Sequence, residues 1–429
     1  MRVLTLSGTP WNDRNSFGNS YSNIFEGIDD LEFANIYCNK GSANGKMVVR
    51  SFQISLNSLI RNLIDSSVPA GKEVDVGAGE EASSRDIALK NFGRRHRFRI
   101  FFFAIDFVWK IGRWKSPELK AFIDDFRADI LFVPVYYAGY LNDVLHFIKN
   151  YSKVPMIGYI SDDCYTLKQF SLSPLYWIDR LIKRRKVKRT IEQCEILYVI
   201  SDVQKREYEK IFTPECKILT KCADFSDSRR PEFKEPGEVL KMVYAGNVSK
   251  GRYEILAELA KAVERLNANG KKIELDIYTL TPMNEKQKKV LSTEAVHLHP
   301  PVSYSEIREI QAQSDVLIHV EGFSLKERLA VHQSFSTKIV DYLETNRCIF
   351  AIGHDYCSSI QYFIKNKCGA VATNKKDIEK RLAELCDDRT LLKCYADNAW
   401  ECGKKNHHRK DIQSMLKQDI EYVISKNKD

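Results

Sequence analysis

Short, nearly continuous apolar segments recur along this chain of 429 residues, and segments with helical periodicity separate them. Three of the apolar segments are Asp129–Val135, Val154–Ile160 and Ile196–Ser201. Segments of this kind are typical of strands buried on both faces of a parallel sheet. The alternation of strand and helix therefore predicts an α/β fold made of doubly wound sheets.

The N-terminal end of the chain follows the same plan. Arg2–Ser7 is rich in β-formers, and a polar loop, a helix from about Tyr21 and a strand at Phe33–Tyr37 come after it. The apolar residues of Phe52–Ile64 recur near helical spacing, which predicts a further helix. Residues 68–90 are rich in Gly, Ala and acidic residues without periodicity, and they are predicted to form a mobile surface loop.

Residues 226–238 are charged and contain two prolines and a glycine, a composition that marks a linker. The β/α alternation restarts after it, with a strand at Leu240–Tyr244 and a helix at Tyr253–Asn269. A capping box at Ser303–Glu306 predicts another helix. Further strands are predicted at Lys272–Thr279, Asp315–Val320, Cys348–Ile352 and Gly369–Thr373.

These segments predict two Rossmann-like, doubly wound domains that face each other across a cleft. The first domain would span residues 1–237, and the second would span residues 238–400. Residues 401–429 are predicted to form a C-terminal helix that packs back on the first domain.

Composition excludes several classes of protein. No apolar run reaches the length that a membrane-spanning helix needs, and the first apolar stretch is too short for a signal peptide. The eleven cysteines are odd in number and form no CxxC pair, which favours free thiols in a reducing compartment. We therefore expect a soluble, cytoplasmic protein without disulfides or structural zinc.

The segment Tyr244–Arg252 joins a predicted strand to a predicted helix through a turn that contains Gly246 and Gly251. Glycine allows the backbone to approach a phosphate, a helix N-terminus supplies N–H donors, and Lys250 and Arg252 supply positive charge. The turn could therefore bind a phosphate group, together with Asn247. An ordinary β–α turn with solvated basic residues would show the same pattern.

A second candidate segment begins at Ser336 and Thr337, either of which could cap a helix. On that helix, Lys338 could face a diphosphate and Asp341 could accept hydrogen bonds from ribose hydroxyls. A capped amphipathic helix with an exposed acid is the alternative.

Taken together, the two segments resemble the C-terminal half of GT-B glycosyltransferases of the family 4 type. The resemblance is to the bacterial enzymes that build capsular, exopolysaccharide or O-antigen chains. The family has a YxGxxxxxR/K loop, onto which Gly246, Lys250 and Arg252 fall. Its later EGFGLPxxEAMAxGxPV segment would place Asp341 where the family has its ribose-binding Glu.

The match to that later segment is incomplete. The family's first Glu would fall at Gln333, which carries no charge, while the Glu321-Gly-Phe element lies too far upstream unless residues are inserted. By the same resemblance, the nucleotide base would pack near Pro301 and Val302. In the N-terminal half, Gly18 and Asn19 fall where the family has a Gly-rich loop near the donor phosphate and sugar.

Asp162 and Asp163 follow a predicted buried strand and face the proposed cleft. Two carboxylates there could bind sugar hydroxyls or orient the acceptor, and in an inverting enzyme one of them could be the general base. A helix N-cap is the alternative role.

The resemblance implies a hexosyltransferase that moves a sugar from a UDP- or GDP-linked donor to a glycan or polyprenyl-linked acceptor, with retention of configuration. Lys250, Arg252 and Lys338 would stabilise the negative charge that develops on the departing diphosphate. No DxD-type metal motif is present between the strands, so we expect chemistry without a metal or other cofactor.

Residues 94–115 place basic residues on both sides of an aromatic, apolar centre, and Lys183–Arg189 is a second basic cluster. This pattern predicts an interfacial helix on the anionic inner face of the cell membrane. A buried core helix with solvated basic ends is the alternative. The residues predicted to face the membrane are Arg97, Arg99, Phe102, Phe103, Trp109, Arg113 and Trp114.

Two other functions are compatible with the sequence. A GT-B nucleotide-sugar 2-epimerase would need an acid and a base around the sugar and no acceptor. A non-enzymatic protein could bind nucleotides through the basic segments. Nucleic acid is not an expected partner, because RNP, helix-turn-helix and zinc motifs are absent.

Overall fold

The computed structural model describes residues 1–13, 15–77 and 99–427. The strands of the first lobe are β1 (Arg2–Ser7), β2 (Glu32–Tyr37), β3 (Val48–Ile54), β4 (Gly71–Val74), β5 (Ile130–Pro134), β6 (Met156–Ile160), β7 (Ile196–Val199) and β8 (Glu215–Ile218). They form one sheet in the order β4-β3-β2-β1-β5-β6-β7-β8. Each strand is parallel to its neighbours except β4, which is antiparallel to β3.

The second lobe has a six-stranded sheet in which every pairing is parallel. Its strands are β9 (Leu240–Ala245), β10 (Ile273–Tyr278), β11 (Val296–His299), β12 (Val316–Val320), β13 (Cys348–Ile352) and β14 (Ala370–Ala372). Their order in the sheet is β11-β10-β9-β12-β13-β14. The two parallel sheets confirm the predicted pair of doubly wound α/β domains.

Helices connect the strands of both sheets. Those of the first lobe are α1 (Ser16–Phe25), α2 (Leu56–Ile64), α3 (Arg99–Ile111), α4 (Pro117–Phe126), α5 (Gly139–Ser152), α6 (Pro174–Ile191) and α7 (Asp202–Tyr208). Those that follow are α8 (Arg252–Ala268), α9 (Glu285–Val290), α10 (Tyr304–Gln313), α11 (Leu325–Ala330), α12 (Lys338–Leu343), α13 (Ser358–Asn366), α14 (Lys375–Asp387), α15 (Thr390–His407) and α16 (Arg409–Lys426).

The helix predicted at Phe52–Ile64 is wrong in its first part. Residues up to Ile54 form strand β3, and the helix begins only after Ser55, whose side chain and that of Ser58 make a reciprocal capping box. The capping box satisfies backbone N–H groups at this point and therefore fixes the start of α2. The capping box predicted at Ser303 is confirmed, because its hydroxyl accepts from the backbone N–H of Glu306.

The loop predicted at residues 68–90 is wrong at Gly71–Val74, which form β4, while residues 68–70 and 75–77 lie outside any helix or strand. Gly71 packs against β3 so closely that a Cβ built there would lie 2.7 Å from the Phe52 ring. The strand therefore depends on the absence of a side chain at this position. The rest of that prediction, from residue 78 onward, lies outside the described residues.

The chain returns to the first lobe at its C-terminal end. A backbone bridge pairs Ala223 with His408, and α16 then packs against the first lobe. Asp419 of α16 is buried, accepts a hydrogen bond from Tyr198 of β7 and lies 2.6 Å from the Lys217 ammonium of β8. The last helix is therefore part of the core of the first lobe.

The strand orders define where a ligand would bind. In each sheet the order reverses direction at one point, between β1 and β5 in the first lobe and between β9 and β12 in the second. In open α/β sheets the binding crevice lies at the carboxyl ends of the strands at such a switch point. The strand order therefore predicts a ligand site at the loops after β9 and β12.

Candidate functional site

The loop after β9 is held in a conformation that requires glycine. Lys250 and Gly251 both have positive φ angles, of 58° and 77°. A Cβ on Gly251 would lie 2.2 Å from the Glu327 carboxyl group, and one on Gly322 would lie 2.7 Å from the Lys250 carbonyl oxygen. The loops after β9 and β12 are thus packed against each other through two glycines.

Arg252 joins the two strands at the switch point. Its Nε donates to the Val320 carbonyl at 3.0 Å, and its Nη2 lies 2.9 Å from an oxygen of Glu321. Glu321 is buried, and this burial raises its pKa, although the nearby charge of Arg252 acts in the opposite direction. The guanidinium is therefore fixed at the carboxyl ends of β9 and β12.

Lys338 brings a second cation to the same turn. Its ammonium donates to the Ala245 carbonyl at 2.9 Å, and a Cβ built on Gly246 would lie 2.8 Å from it. Removal from water lowers the pKa of Lys338, and the neighbouring charge of Arg252 lowers it further. An anion bound at this turn would therefore be stabilised by two cations that are already in place.

Asp341, the predicted ribose-binding acid, lies at the centre of a group of cations. Its carboxylate is 2.5 Å from the Lys221 ammonium and 3.3 Å from Arg308, and it accepts a hydrogen bond from the Tyr304 hydroxyl. Lys221 follows the last strand of the first lobe, so this ion pair crosses between the lobes. A ribose could reach the carboxylate only if Lys221 moved or shared it.

Two cavities of about 450 Å³ and 280 Å³ lie between the lobes at this point. Both are lined by Asn23, Lys221, Tyr304 and Arg409, and Asp341 lines the larger one. Together they form the space next to Asp341 in which a ligand between the lobes could be placed.

Asn19 lines the smaller cavity, and its predicted role near the donor stays a prediction. Gly18 has a different role, because its N–H donates to the Asn15 side chain and a Cβ there would overlap the Asn12 backbone. Gly18 therefore allows close packing at the start of α1, and its N–H is not available to a phosphate.

The two aspartates after β6 have different environments. The Asp162 carboxylate accepts from the Ser334 hydroxyl of the second lobe at 2.9 Å. Its removal from water raises its pKa, and the hydrogen bond from Ser334 and the charge of Lys250 act against this shift. Asp162 therefore lies across the cleft from the loop that carries Lys250.

Asp163 organises the segment that follows it. Its oxygens accept from two backbone N–H groups and two side chains, and Arg180 donates to it at 3.0 Å. With both oxygens occupied, Asp163 is not available as a general base, and this geometry corrects its proposed catalytic role. It begins no helix, so the alternative role as a helix N-cap is wrong as well.

The remaining predicted donor-binding residues are Asn247, Ser336, Thr337 and Val302. Asn247 accepts from the Ser249 N–H, and its carbonyl accepts from the Tyr244 hydroxyl, so it shapes the turn. Ser336 and Thr337 precede α12, and the Thr337 side chain makes no capping hydrogen bond. Val302 is 37% exposed and lies two residues before Tyr304.

The sequence interpretation missed four residues of this site: Glu321, Lys221, Tyr304 and Arg308. Glu321 could have been found, because its Glu-Gly-Phe element is visible in the sequence, but its spacing argued against it. Gln333, the position indicated by spacing, instead contacts the first lobe, where Ser201 and Glu207 bind it. No local pattern identifies Lys221, which comes from the other lobe.

A third cavity, of about 670 Å³, includes no residue of the loop after β9, and neither do the two cavities between the lobes. It lies between α7, α13 and the junction of α15 and α16, and it includes His407 and Tyr362. Within the described part of the chain, no group of three His, Cys, Asp or Glu side chains could hold a metal ion. All eleven cysteines are free thiols, and only Cys394 is exposed.

Two parallel-sheet lobes with a crevice between them define the GT-B fold of glycosyltransferases, and comparison with solved structures confirms it. HepE from Anabaena, solved in complex with UDP, has a TM-score of 0.62 and 10% identity, over 98% of this chain and 100% of that one.

Sucrose-phosphate synthase from Thermosynechococcus elongatus has a TM-score of 0.62 and 8% identity, over 100% of both chains. WaaG, a glycosyltransferase involved in lipopolysaccharide biosynthesis, has a TM-score of 0.55 and 10% identity, over 99% of both chains. No protein-family model and no curated protein sequence matches this chain. At these identities, the similarity is one of fold.

Proposed function

We propose that this protein is a glycosyltransferase that uses a nucleoside-diphosphate sugar, UDP- or GDP-linked, as its donor. Its acceptor would be a glycan or polyprenyl-linked glycan in the synthesis of a surface polysaccharide at the inner face of the cell membrane. The transfer would retain the anomeric configuration and need no metal. The fold supports this proposal, and so does HepE, a protein of the same fold that was solved with UDP.

One observation carries the proposal: Arg252 and Lys338 are both fixed at the switch point of the second sheet, with Lys338 beside Gly246. When the bond between sugar and diphosphate breaks, negative charge develops on the diphosphate and positive charge on the anomeric carbon. Cations that are already in position stabilise that charge without reorganisation. Lys250, on the same loop, would add to this effect.

Asp162 is the candidate for a role on the sugar side of the reaction. It projects from the first lobe, and the charge of Lys250 affects its pKa across the cleft. A carboxylate in this position could bind a sugar hydroxyl or stabilise positive charge at the anomeric carbon. The acceptor oxygen would bond to that carbon as the bond to the diphosphate breaks, and the acceptor's proton would pass to an oxygen of the departing diphosphate.

The test begins with calorimetric titration of UDP, GDP and ADP, followed by turnover with the sugar nucleotides of whichever base binds. Lys250→Ala should weaken nucleotide binding or lower turnover by about tenfold or more, equivalent to about 1.4 kcal/mol. Lys289→Ala, which removes an exposed lysine of α9, is the matched control and should behave like the wild type.

Arg252→Ala is a poor first test. Removing one partner of a buried ion pair costs about 3–5 kcal/mol, so the variant would lose stability as well as charge. If no nucleoside diphosphate binds, the proposal fails. Conversion of the donor alone into an epimer, without transfer, would instead identify the protein as a 2-epimerase.

A further inference from the structure

Helix α6 has an inverted distribution of polar and apolar side chains. Asp179, Arg180 and Lys183 are buried, each less than 6% exposed. Arg180 lies 3.0 Å from the Asp163 carboxylate, and the Lys183 ammonium lies 2.8 Å from Asp179. The buried face of α6 is therefore polar in the first half of the helix, where ion pairs within the protein satisfy its charges, whereas Val187 and Ile191 of the second half are buried and apolar.

The opposite face of α6 is apolar and open to solvent. Leu175, Ile178, Leu181 and Ile182 are each between 46% and 50% exposed. A surface helix of a globular protein normally buries its apolar stripe and exposes its charges. Folding of the lobe therefore gives no reason for these four residues to be apolar.

Helix α3 is reached by a side chain of α6 and has exposed apolar residues of its own. The Lys183 ammonium lies 3.4 Å from Asp106 of α3 and 5.8 Å from the centre of the Phe102 ring. Phe102, Phe107 and Ile111 of α3 are exposed, and so is Leu172, just before α6. Two neighbouring helices therefore present large apolar side chains to solvent.

The structure changes which residues can belong to this surface. Trp109 and Trp114 are buried, where Trp109 stacks on Tyr140 and Trp114 contacts Phe147, so the prediction that they face a membrane is wrong. Phe102 and Arg113 are exposed, and Phe103 is half-buried. Arg97 and the side chain of Arg99 lie outside the described residues.

The exposed charges of the two helices are positive. The stripe on α6 that begins with Leu175, Ile178 and Ile182 continues with Arg185 and Arg189, both exposed, and Arg189 also lies 3.5 Å from Asp143 of α5. The other exposed basic residues are Lys188 of α6, Lys110 of α3, and Arg113 and Lys115 just after α3. Each helix contains one acid, Asp106 or Asp179, and both are paired with Lys183.

We propose that this α3/α6 face, formed by Phe102, Phe107, Ile111, Leu172, Leu175, Ile178, Leu181, Ile182, Arg185 and Arg189, docks on an anionic lipid membrane. Apolar side chains would enter the boundary between headgroups and acyl chains, and the arginines would contact lipid phosphates. No helix of the described ranges has the length and hydropathy to cross a membrane, so binding is peripheral.

The docking face is connected to the cleft. Arg180 of α6 fixes Asp163, and the preceding residue, Asp162, faces the loop that carries Lys250. If the proposed transferase activity is correct, this connection would hold the acceptor side of the cleft near the membrane, where a lipid-linked acceptor is found. Membrane binding itself does not depend on that activity.

The experiment is flotation of the full chain with vesicles of phosphatidylglycerol and phosphatidylcholine, and with phosphatidylcholine alone. The wild type should float with the anionic vesicles, and less so as salt is raised, because salt screens the arginine–phosphate attraction.

Ile178→Ser with Ile182→Ser, and separately Arg185→Ser, should reduce the bound fraction, the double variant by roughly tenfold or more. The matched control, Ile211→Ser with Ile364→Ser, removes two isoleucines of similar exposure elsewhere and should bind like the wild type.

Three outcomes would overturn the proposal. The first is that the wild type does not float, or that the double variant floats equally well. The second is a dimer in light scattering that the double variant abolishes, which would assign the face to a second copy of the chain. The third is a clear fall in the Tm of the double variant, which would show that the chain itself covers these residues. Calorimetry of UDP and GDP with the same variants separates this question from the proposed reaction, because nucleotide binding should not change.

Discussion

At the scale of single residues, two buried histidines are held in the neutral form. His407 exchanges hydrogen bonds with the Thr220 and Tyr362 hydroxyls, and burial lowers its pKa to about 4. His319 lies on β12 near Arg252 and Lys338, and burial together with their charges lowers its pKa to about 3. Both side chains therefore stay neutral in the folded protein at pH values at which they begin to take up a proton in the unfolded chain.

This difference predicts a loss of stability in acid. Below an unfolded-state pKa of about 6.5, the unfolded chain binds more protons than the folded one, so the free energy of unfolding falls as pH falls. Between about pH 7.5 and pH 5.5, each histidine should cost about 1 kcal/mol. Urea unfolding at the two pH values measures the loss.

His407→Gln should reduce that pH dependence by about half, whatever it does to stability at neutral pH. An unchanged dependence in this variant would show that His407 is not responsible. The wild type, measured in the same way, provides the comparison.

Much of the candidate site could be predicted at this scale, because its residues belong to two local segments. Lys250 and Arg252 fall within a strand–turn–helix pattern that the sequence displays, and Lys338 lies in the second candidate segment, directly after Ser336 and Thr337. Glu321 and Lys221 could not be assigned in the same way. Glu321 reaches Arg252 because two loops pack together through glycines, and Lys221 reaches Asp341 from the other lobe. Contacts of these kinds depend on tertiary structure, so the sequence shows no recognisable spacing between the residues that make them.

At the scale of elements, the turn after β9 depends on the absence of a side chain at Gly246. A valine there would displace the Lys338 ammonium, which can move because it ends a flexible side chain, and would crowd the Tyr244 hydroxyl. Gly246→Val should therefore weaken nucleotide binding by about tenfold or more while the lobe stays folded. Calorimetry and circular dichroism measure the two effects.

Gly237→Val is the matched control, because nothing lies within 4 Å of a Cβ built at that linker position. It should bind nucleotide like the wild type. If both variants bound nucleotide with equal affinity, Lys338 and the turn after β9 would not be part of the nucleotide site.

Helix α6 shows where pattern recognition fails at this scale. Periodicity detects an apolar face but does not say which face is buried, and in the first half of α6 the polar face is the buried one. The start of α2 was missed for a different reason. The apolar residues of β3 and α2 run together near helical spacing, and only the Ser55–Ser58 capping box separates them.

At the scale of the whole molecule, stability of the first lobe depends on the end of the chain. Leu416, Ile420 and Val423 of α16 are fully buried against it. Leu416→Ala should lower the free energy of unfolding by about 2–5 kcal/mol, through lost burial and the cavity left behind. Gln418→Ala, on the exposed side of the same helix, should have little effect. Equal stability of both variants in urea unfolding would show that α16 is not part of the core.

The overall architecture could be predicted because it rests on repetition. Buried parallel strands need continuous apolar segments, and the charged, proline-containing linker interrupts them once, so two sheets follow from the pattern. Strand β4 could not be predicted, because it has no apolar pattern of its own. Its pairing with β3 instead depends on Gly71, which has no side chain.

The return of the chain at His408 means that the polypeptide passes between the lobes twice, once through residues 226–238 and once at the Ala223–His408 bridge. A protease that nicked only the linker would yield two fragments under denaturing conditions but a single particle in native buffer. Because the two connecting segments are adjacent, both must bend when the cleft opens. The lobes would therefore rotate about an axis near that bridge.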